Sequence, residues 1–303
     1  ISVTLCLVMM FTTFFIFEPS VLSELLPKAS AADVVYSKVT NGNGTWTSGT
    51  DYTLSGSTYT IKTGNGFAYF LKNPTTFNGK KVVLDCNVDF SGITYAYWDD
   101  SATAWYGELD GANHIVANYK QSIDKKERTN VGGFGVIRKM SGGIVKDLTI
   151  KNTYIKVLNR RDDTRTNVYG LGALIGKIEG ESSAAYTDVQ INNVTVDGAT
   201  IIKFGRDGRR NDYGCGGIVG QTRKKTVFTN CKVINTKISP NQDDNRRGNK
   251  EGGFVGESSG AEIIIKNDTP MVSVASTTFV YAKDLADKDS DHGGLIGWTS
   301  GKT

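Results

Sequence analysis

The chain has 303 residues, of which 39% are hydrophobic and 22% are charged, and its formal net charge at pH 7 is +4. Glycine is abundant, with 35 residues, whereas proline is scarce, with 5. Because the glycines follow no strict three-residue period, the composition excludes a collagen-like chain, and it also excludes a low-complexity disordered chain. The mild positive charge does not favour nucleic acid, so no nucleic-acid partner is predicted.

The N-terminal segment resembles an export signal. Residues 1–17 carry no charge, and after a polar stretch Ala29, Ser30 and Ala31 form the small-x-small signature of signal-peptide cleavage. We therefore predict a signal peptide over residues 1–31 and a protein that is secreted or held at the cell surface or cell wall. The alternative is an uncleaved anchor. Apart from this leader, membrane contact is expected only through an anchor beyond residue 303, because the last residues look like the start of another unit of a longer exported protein.

Residues 32–78 are rich in Thr, Ser, Tyr and Gly and contain weak strands such as residues 59–61. They predict a β-rich N-terminal cap or entry region. Next, residues 81–90 and 108–116 alternate apolar and polar side chains, which is typical of half-buried strands.

A short glycine pattern, GGφφG, then returns five times at intervals of about 40 residues. Its segments begin at Gly132, Gly172, Gly216, Gly252 and Gly293, and its other glycines are Gly133, Gly176, Gly217, Gly220, Gly253, Gly256, Gly294 and Gly297. Each of the first three units continues with two short alternating segments. The first of them starts at Asp147, Asn193 or Asn230, and Asn267 holds the same place in the fourth unit.

These pieces predict three short strands in each repeat and an all-β fold, a parallel β-helix (β-solenoid) over residues 79–303. Glycine suits the corners and the close approach of neighbouring coils. Asparagine tolerates the left-handed backbone region, so Asn193, Asn230 and Asn267, with Asp147, are expected to stack as a ladder.

Two segments upstream of the repeats, LDCNVDFSG (84–92) and YGELDGANHI (106–115), complete a pattern that resembles bacterial exported proteins with GLUG-type repeats. The resemblance covers roughly residues 80–303. Such repeats occur in cell-surface and adhesin-like proteins and in the non-catalytic upstream part of IgA-specific metallopeptidases. The resemblance implies a right-handed parallel β-helix and a surface role, and it implies no activity.

Charged segments precede nearly every glycine unit, at residues 120–130, 159–167, 203–212, 241–251 and 283–292. Because they occupy equivalent places, they are expected to project from one edge of the fold. Two interpretations stay open: a binding face for a glycan or an anionic host surface, or solvated loops that form weak surface ion pairs. The arginines proposed for ligand contact are Arg160, Arg161, Arg209, Arg210, Arg246 and Arg247.

Catalytic and metal-binding patterns are weak. Asp287, Asp289 and Asp291 have the alternate spacing of a calcium loop, but His292 and Trp298 replace the required Gly and Glu. No other metal or cofactor is predicted, and an HExxH motif is absent from the chain.

The remaining candidate residues are few. His114 is expected to be a corner residue with satisfied ring nitrogens. Cys86, Cys215 and Cys231 are expected to be small buried side chains, with a Cys215–Cys231 bridge left open.

The leading hypothesis is a non-enzymatic surface protein whose β-helix serves as a stalk and ligand-contact module. The second is a β-helical polysaccharide lyase or hydrolase. It would use Asp99 and Asp100 beside a sugar platform formed by Trp98 and Trp105. The third is the non-catalytic upstream region of a larger secreted protease.

Overall fold

The computed structural model describes residues 34–95, 104–125, 133–159, 170–180, 188–205, 213–239, 249–267, 274–275, 278–279 and 291–300. The described residues from Tyr36 onward belong to one compact unit. The described residues are mostly in β-strands, as predicted, with one α-helix.

The N-terminal half of the described fold consists of short strands around this helix. Its elements are β1 (Tyr36–Lys38), β2 (Tyr52–Ser55), β3 (Thr58–Ile61), α1 (Gly64–Lys72), a 3-10 turn (Pro74–Phe77), β4 (Lys81–Leu84), β5 (Asn87–Asp89), β6 (Trp105–Asp110), β7 (Ile115–Ala117) and β8 (Lys120–Lys125).

The repeats supply the remaining strands. These are β9 (Ile137–Lys151), β10 (Tyr154–Asn159), β11 (Leu171–Gly172), β12 (Ile175–Ile178), β13 (Val189–Asp197), β14 (Thr200–Gly205), β15 (Tyr213–Gly216), β16 (Val219–Thr222), β17 (Thr226–Thr229), β18 (Lys232–Ile234), β19 (Lys237–Ser239), β20 (Asn249–Gly252), β21 (Val255–Ser258), β22 (Ile263–Lys266), β23 (Val274–Ala275), β24 (Thr278–Phe279), β25 (Asp291–Gly293) and β26 (Ile296–Thr299).

Helix α1 was not predicted, because two glycines in its first turn lower its intrinsic helix propensity. Thr63 caps its N-terminus by accepting a hydrogen bond from the Gly66 amide at 3.0 Å. Its buried face carries Phe67, Ala68, Phe70 and Leu71, which lie at helical spacing and pack into the core. The entry region is therefore not purely β.

The strands are held in three sheets of seventeen, five and four strands. Every strand pair within them is parallel except the β2–β3 hairpin. The entry region is continuous with the strands C-terminal to it, since β1 pairs with β5 and β3 pairs with β4. From β9 onward, equivalent strands of successive repeats pair in parallel, whereas β4 pairs with β6 and β5 with β7 at a shorter separation in sequence.

One repeat crosses all three sheets. Strand β15 lies in the four-stranded sheet, β16, β17 and β18 lie in the large sheet, and β19 lies in the five-stranded sheet. The repeat thus contains five short strands, and the prediction of three was wrong. The GGφφG segment was predicted as one strand but contributes to two, and the strand before the corner asparagine was missed, because each strand is only about four residues long.

Equivalent positions pair from one repeat to the next. Ile137 pairs with Ile175, Ile175 with Val219, Val219 with Val255, and Val255 with Ile296. A similar register holds in the five-stranded sheet, where Ile155 pairs with Ile201 and Ile201 with Ile238.

The first glycine unit aligns differently from its appearance in the sequence. Phe134 forms a bridge with Leu171, so Gly135, not Gly132, takes the place of Gly172. Arg138 then stands where the next unit has Gly176, as the Ile137–Ile175 pairing requires. Gly132 lies outside the described residues.

Alternating side chains build the core. Strand β6 buries every second residue, and so does β4. At the N-terminal end the core is aromatic: Phe70 contacts Trp105 and Phe77 edge-to-face, with ring centroids 5.4 and 5.2 Å apart. Within the repeats it is mainly aliphatic, with Phe228 and Phe254 in contact at 5.2 Å. In the part of the chain that the structure describes, no helix has the length and apolarity needed to cross a membrane.

Candidate functional site

The residues predicted to contact a ligand lie mostly outside the described residues. These are Trp98, Asp99, Asp100, Arg160, Arg161, Arg209, Arg210, Arg246 and Arg247. The chain on either side of the arginine-containing segments is described. Strands β10, β14 and β19 precede the three segments and pair in register in one sheet, whereas β11, β15 and β20 follow them and pair in another.

Trp105 is a correction to the predicted sugar platform. Its side chain is fully buried, and its indole nitrogen donates a hydrogen bond to the Phe77 carbonyl at 3.2 Å. Trp105 is therefore a core residue of β6 that a surface ligand cannot reach.

The other single-residue candidates have structural surroundings. Nδ1 of His114 lies 3.3 Å from Oδ1 of Asn87, beside the corner that leads into β7. Cys86, Cys215 and Cys231 form no disulfide among the described residues, so the Cys215–Cys231 bridge is not formed. Burial raises the pKa of the Cys86 and Cys231 thiols to about 11, which makes them poor nucleophiles at neutral pH.

The calcium candidate is only partly described. Asp291 begins β25, while Asp287 and Asp289 lie outside the described residues. Among the residues that the structure covers, no group of three or more His, Cys, Asp or Glu side chains is placed to hold a metal.

Three members of the predicted asparagine ladder share a left-handed backbone, and two of them are joined by a hydrogen bond. Asp147, Asn193 and Asn230 have φ of 51°, 53° and 53°, and Nδ2 of Asn193 donates to Oδ1 of Asp147 at 2.8 Å. Asn267 follows β22 at the equivalent position. Asp147 lies within β9 and Asn193 within β13, whereas Asn230 lies between β17 and β18, so the left-handed residue bends one long strand in two repeats and separates two strands in the third.

A second corner column was missed. Five residues after each member of the first ladder stand Asn152, Gly198 and Asn235, with φ of 53°, 72° and 51°. Nδ2 of Asn235 donates to Oδ1 of Asp197 at 2.9 Å. The constant spacing of five residues in the sequence was the signal that could have revealed this column.

The repeated glycines form a layer where two sheets pack backbone to backbone. A Cβ at Gly220, Gly256 or Gly297 would lie closer than 3.0 Å to backbone atoms in or next to the four-stranded sheet. A Cβ at Gly176 would lie equally close to the backbone of Gly133 and Phe134. A Cβ at Gly172, Gly216 or Gly252 would meet the backbone of the bend that follows it just as closely. Gly217 and Gly253, in the second position of the motif, are equally crowded, and so is Gly133, which the register aligns with Gly170, whereas Gly294 has open space.

Beside this glycine layer runs a column of five side chains, of which three are polar and buried and two, Lys139 and Trp298, are half-buried. Lys139, Lys177, Gln221, Glu257 and Trp298 occupy one register position in five consecutive strands of the large sheet. Lys177, Gln221 and Glu257 are each no more than 5% exposed. We call these five residues the polar column.

Two members of the polar column are joined by a hydrogen bond, and others contact charged side chains beside it. Gln221 Nε2 donates to Glu257 Oε2 at 2.9 Å, and Lys250 Nζ lies 3.2 Å from Glu257 Oε1. The same ammonium lies 3.7 Å from the centre of the Trp298 ring, a cation–π contact. Burial lowers the pKa of Lys177, and the ion pair of its Nζ with Glu179 at 2.9 Å partly opposes that effect.

A half-exposed ion network braces the N-terminal strands. Lys81 and Lys146 each lie within 3.3 Å of both Glu108 and Asp110. Burial raises the pKa of Asp110, but hydrogen bonds from the Ala112 amide and the two lysines outweigh it, so the pKa is lowered overall. This network spans three consecutive strands and is structural.

A cleft of about 550 Å³ lies beside the N-terminal cap. Its lining includes Asn43, Lys72, Ile93 and Tyr95, and the Tyr95 hydroxyl donates to the Gly42 carbonyl at 3.0 Å. The cleft is lined by both apolar and polar side chains, a combination found in small-molecule sites. Its described lining residues include no aspartate or glutamate.

Comparisons of the chain with protein-family models, curated proteins and solved structures found no match. The site must therefore be judged on its own geometry.

Proposed function

We propose that the chain is a non-enzymatic, exported cell-surface protein in which a parallel β-helix presents repeated charged loops to a glycan or another anionic surface ligand. Coils that stack one on another would form a stiff stalk, and each coil would contribute one loop. The right hand of the helix rests on the resemblance to GLUG-repeat proteins alone.

One observation carries the proposal: the strands before and after the charged segments each pair in register. Leu158 pairs with Phe204 before two of the segments, and Tyr213 pairs with Asn249 after two of them. Strand neighbours are about 4.8 Å apart, so the ends of consecutive segments are held at that spacing. Regular spacing allows weak contacts from several loops to add on one extended ligand.

The structural features around the loops also favour presentation over catalysis. The polar column and the corner ladders are bonded internally and stabilise the coils, while the buried cysteines are unsuited to nucleophilic attack. An extended anionic ligand would meet paired arginines in three consecutive segments, and arginine suits sulfate and carboxylate groups because its guanidinium binds them bidentately.

The test uses the full chain and immobilised heparin as an anionic polysaccharide, with dextran as a neutral comparison. Serine replaces the pairs Arg160/Arg161, Arg209/Arg210 and Arg246/Arg247, first singly and then together. We expect each single pair to weaken heparin binding several-fold, and the combined variant to weaken it by about 100-fold or more because avidity is lost.

A matched control removes two exposed lysines that lie outside the segments, Lys62 and Lys266. It should bind heparin nearly as well as the unmodified chain. Absence of heparin binding by the unmodified chain, or equal binding by the combined variant, would overturn the proposed ligand contact. Depolymerisation of a polysaccharide that is lost on Asp99→Asn would identify an enzyme instead.

A further inference from the structure

The polar column brings together an amine, a carboxylate and a carboxamide. Lys250 approaches one oxygen of Glu257 at 3.2 Å, and Nε2 of Gln221 donates to the other at 2.9 Å. The two outer residues come from different coils, β16 and β20, and Glu257 lies on β21 between them. The Glu257 carboxylate thus contacts two nitrogens. One is Nζ of Lys250, the nucleophile of a possible attack on the Gln221 carboxamide, and the other is Nε2 of Gln221, the leaving group of that attack.

The three side chains are shielded from water. Lys250 and Glu257 are 5% exposed and Gln221 is 3% exposed. The Trp298 ring covers the Lys250 ammonium at 3.7 Å. Oε1 of Gln221 is buried and has no hydrogen-bond partner among the described residues, so no such bond holds the carboxamide carbonyl in place.

We propose that Lys250 and Gln221 form an intramolecular isopeptide bond with Glu257 as the proton carrier. The proposal goes beyond ligand presentation and does not depend on it. Such a bond would join two consecutive coils covalently in an extracellular protein whose described cysteines form no disulfide.

The step balances without a co-reactant. Glu257 first accepts a proton from the Lys250 ammonium, which its Oε1 contacts at 3.2 Å. The lone pair of Nζ then attacks Cδ of Gln221, and the Cδ–Nε2 bond breaks. The carboxylic acid gives its proton to the departing Nε2, and the carboxylate takes one proton from Nζ. The products are an Nζ–Cδ amide and one molecule of ammonia.

The proximity of the Lys250 amine to the Gln221 carboxamide accelerates the reaction. Holding the amine and the carboxamide on one carboxylate replaces a bimolecular encounter by a reaction within the fold. General acid–base assistance by Glu257 meets the need for proton transfer at both nitrogens. Loss of ammonia to solvent makes the step irreversible in practice.

The test is the intact mass of the full chain after folding and denaturation, compared with the mass expected from its sequenced ends. The bond removes one ammonia, so we expect a deficit of about 17 Da. Proteolysis should then release one branched peptide that contains both Lys250 and Gln221, which separates this bond from ammonia loss elsewhere.

Variants assign the roles. Glu257→Gln and Lys250→Arg should show no deficit, whereas Lys237→Arg, at an exposed lysine of β19, should retain it. If either of the first two variants fails to fold, the mass of the unmodified chain still decides the question. A full sequence mass, with separate Lys250 and Gln221 peptides, would overturn the proposal and leave the three residues as a buried ion pair and hydrogen bond.

Discussion

Residues that lack a side chain determine how closely the two sheets approach. At Gly220 an added Cβ would lie closer than 3.0 Å to the backbone of Leu171 and Gly170, neither of which can rotate away. The requirement is for space, since the backbone at Gly220 is not in the left-handed region. This differs from the corner residues, where the left-handed conformation itself sets the preference.

Replacement of Gly220 by alanine should therefore destabilise the fold strongly. Forcing two strands apart in a packed interior costs about 1–3 kcal/mol or more, so we expect a loss of at least 2 kcal/mol. Chemical denaturation followed by circular dichroism measures it. Gly294→Ala is the control, because its Cβ would have open space, and a comparable loss there would refute the packing explanation.

Asp110 makes stability depend on pH in the acidic range. Its pKa is lowered in the folded state, so the stability that it contributes is present above the unfolded value of about 3.9 and is lost as the pH falls through the folded value. We expect Asp110→Asn to cost about 1 kcal/mol at pH 7 and much less at pH 2.5. The measurement is urea denaturation at both pH values.

The exposed pair of Lys225 and Glu262 provides the comparison for Asp110. Its atoms are 3.3 Å apart, but both side chains are more than 40% exposed, so solvent screens the interaction. Glu262→Gln should change stability little at either pH. An equal effect at pH 2.5 and pH 7 for Asp110→Asn would contradict the role given to its charge.

At the scale of elements, short strands are joined by corners that the sequence predicts unevenly. The spacing of Asp147, Asn193 and Asn230 predicted the first corner column, because asparagine and aspartate are typical of the left-handed region. The second column escaped notice since one member is glycine. Helix α1 was missed because Gly64 and Gly66 lower its propensity, and packing against β1 and the core compensates for them.

Two substitutions of Asn193 distinguish the contribution of the left-handed backbone from that of the side-chain hydrogen bond. Asn193→Gly keeps the backbone conformation and removes the hydrogen bond to Asp147, whereas Asn193→Ala loses both. We expect alanine to cost about 1–2 kcal/mol and glycine to cost roughly half as much or less. Thermal unfolding of both variants gives the ranking, and alanine that is as stable as glycine would contradict the left-handed requirement.

For the whole molecule, the glycine period predicted where the chain repeats but not how many strands each repeat contains. Period alone could not show that Gly135 takes the place of Gly172, because an insertion in the first unit shifts its apparent alignment.

Trp105 illustrates a further limit, since an aromatic residue beside two acids looks the same in sequence whether it is buried or exposed. The polar column could not be predicted at all, because its residues share no type and only strand register brings them together.

The central claim is that consecutive repeats stack as coils, and a distance between outward positions tests it most directly. Val83 and Lys266 belong to one register row that runs through β4, β6, β9, β13, β17 and β22. Spin labels at these two positions, in a chain whose native cysteines are replaced by serine, are measured by double electron–electron resonance. Five strand steps predict a narrow distribution centred near 24 Å. A broad distribution, or a centre beyond about 35 Å, would contradict stacking of the repeats.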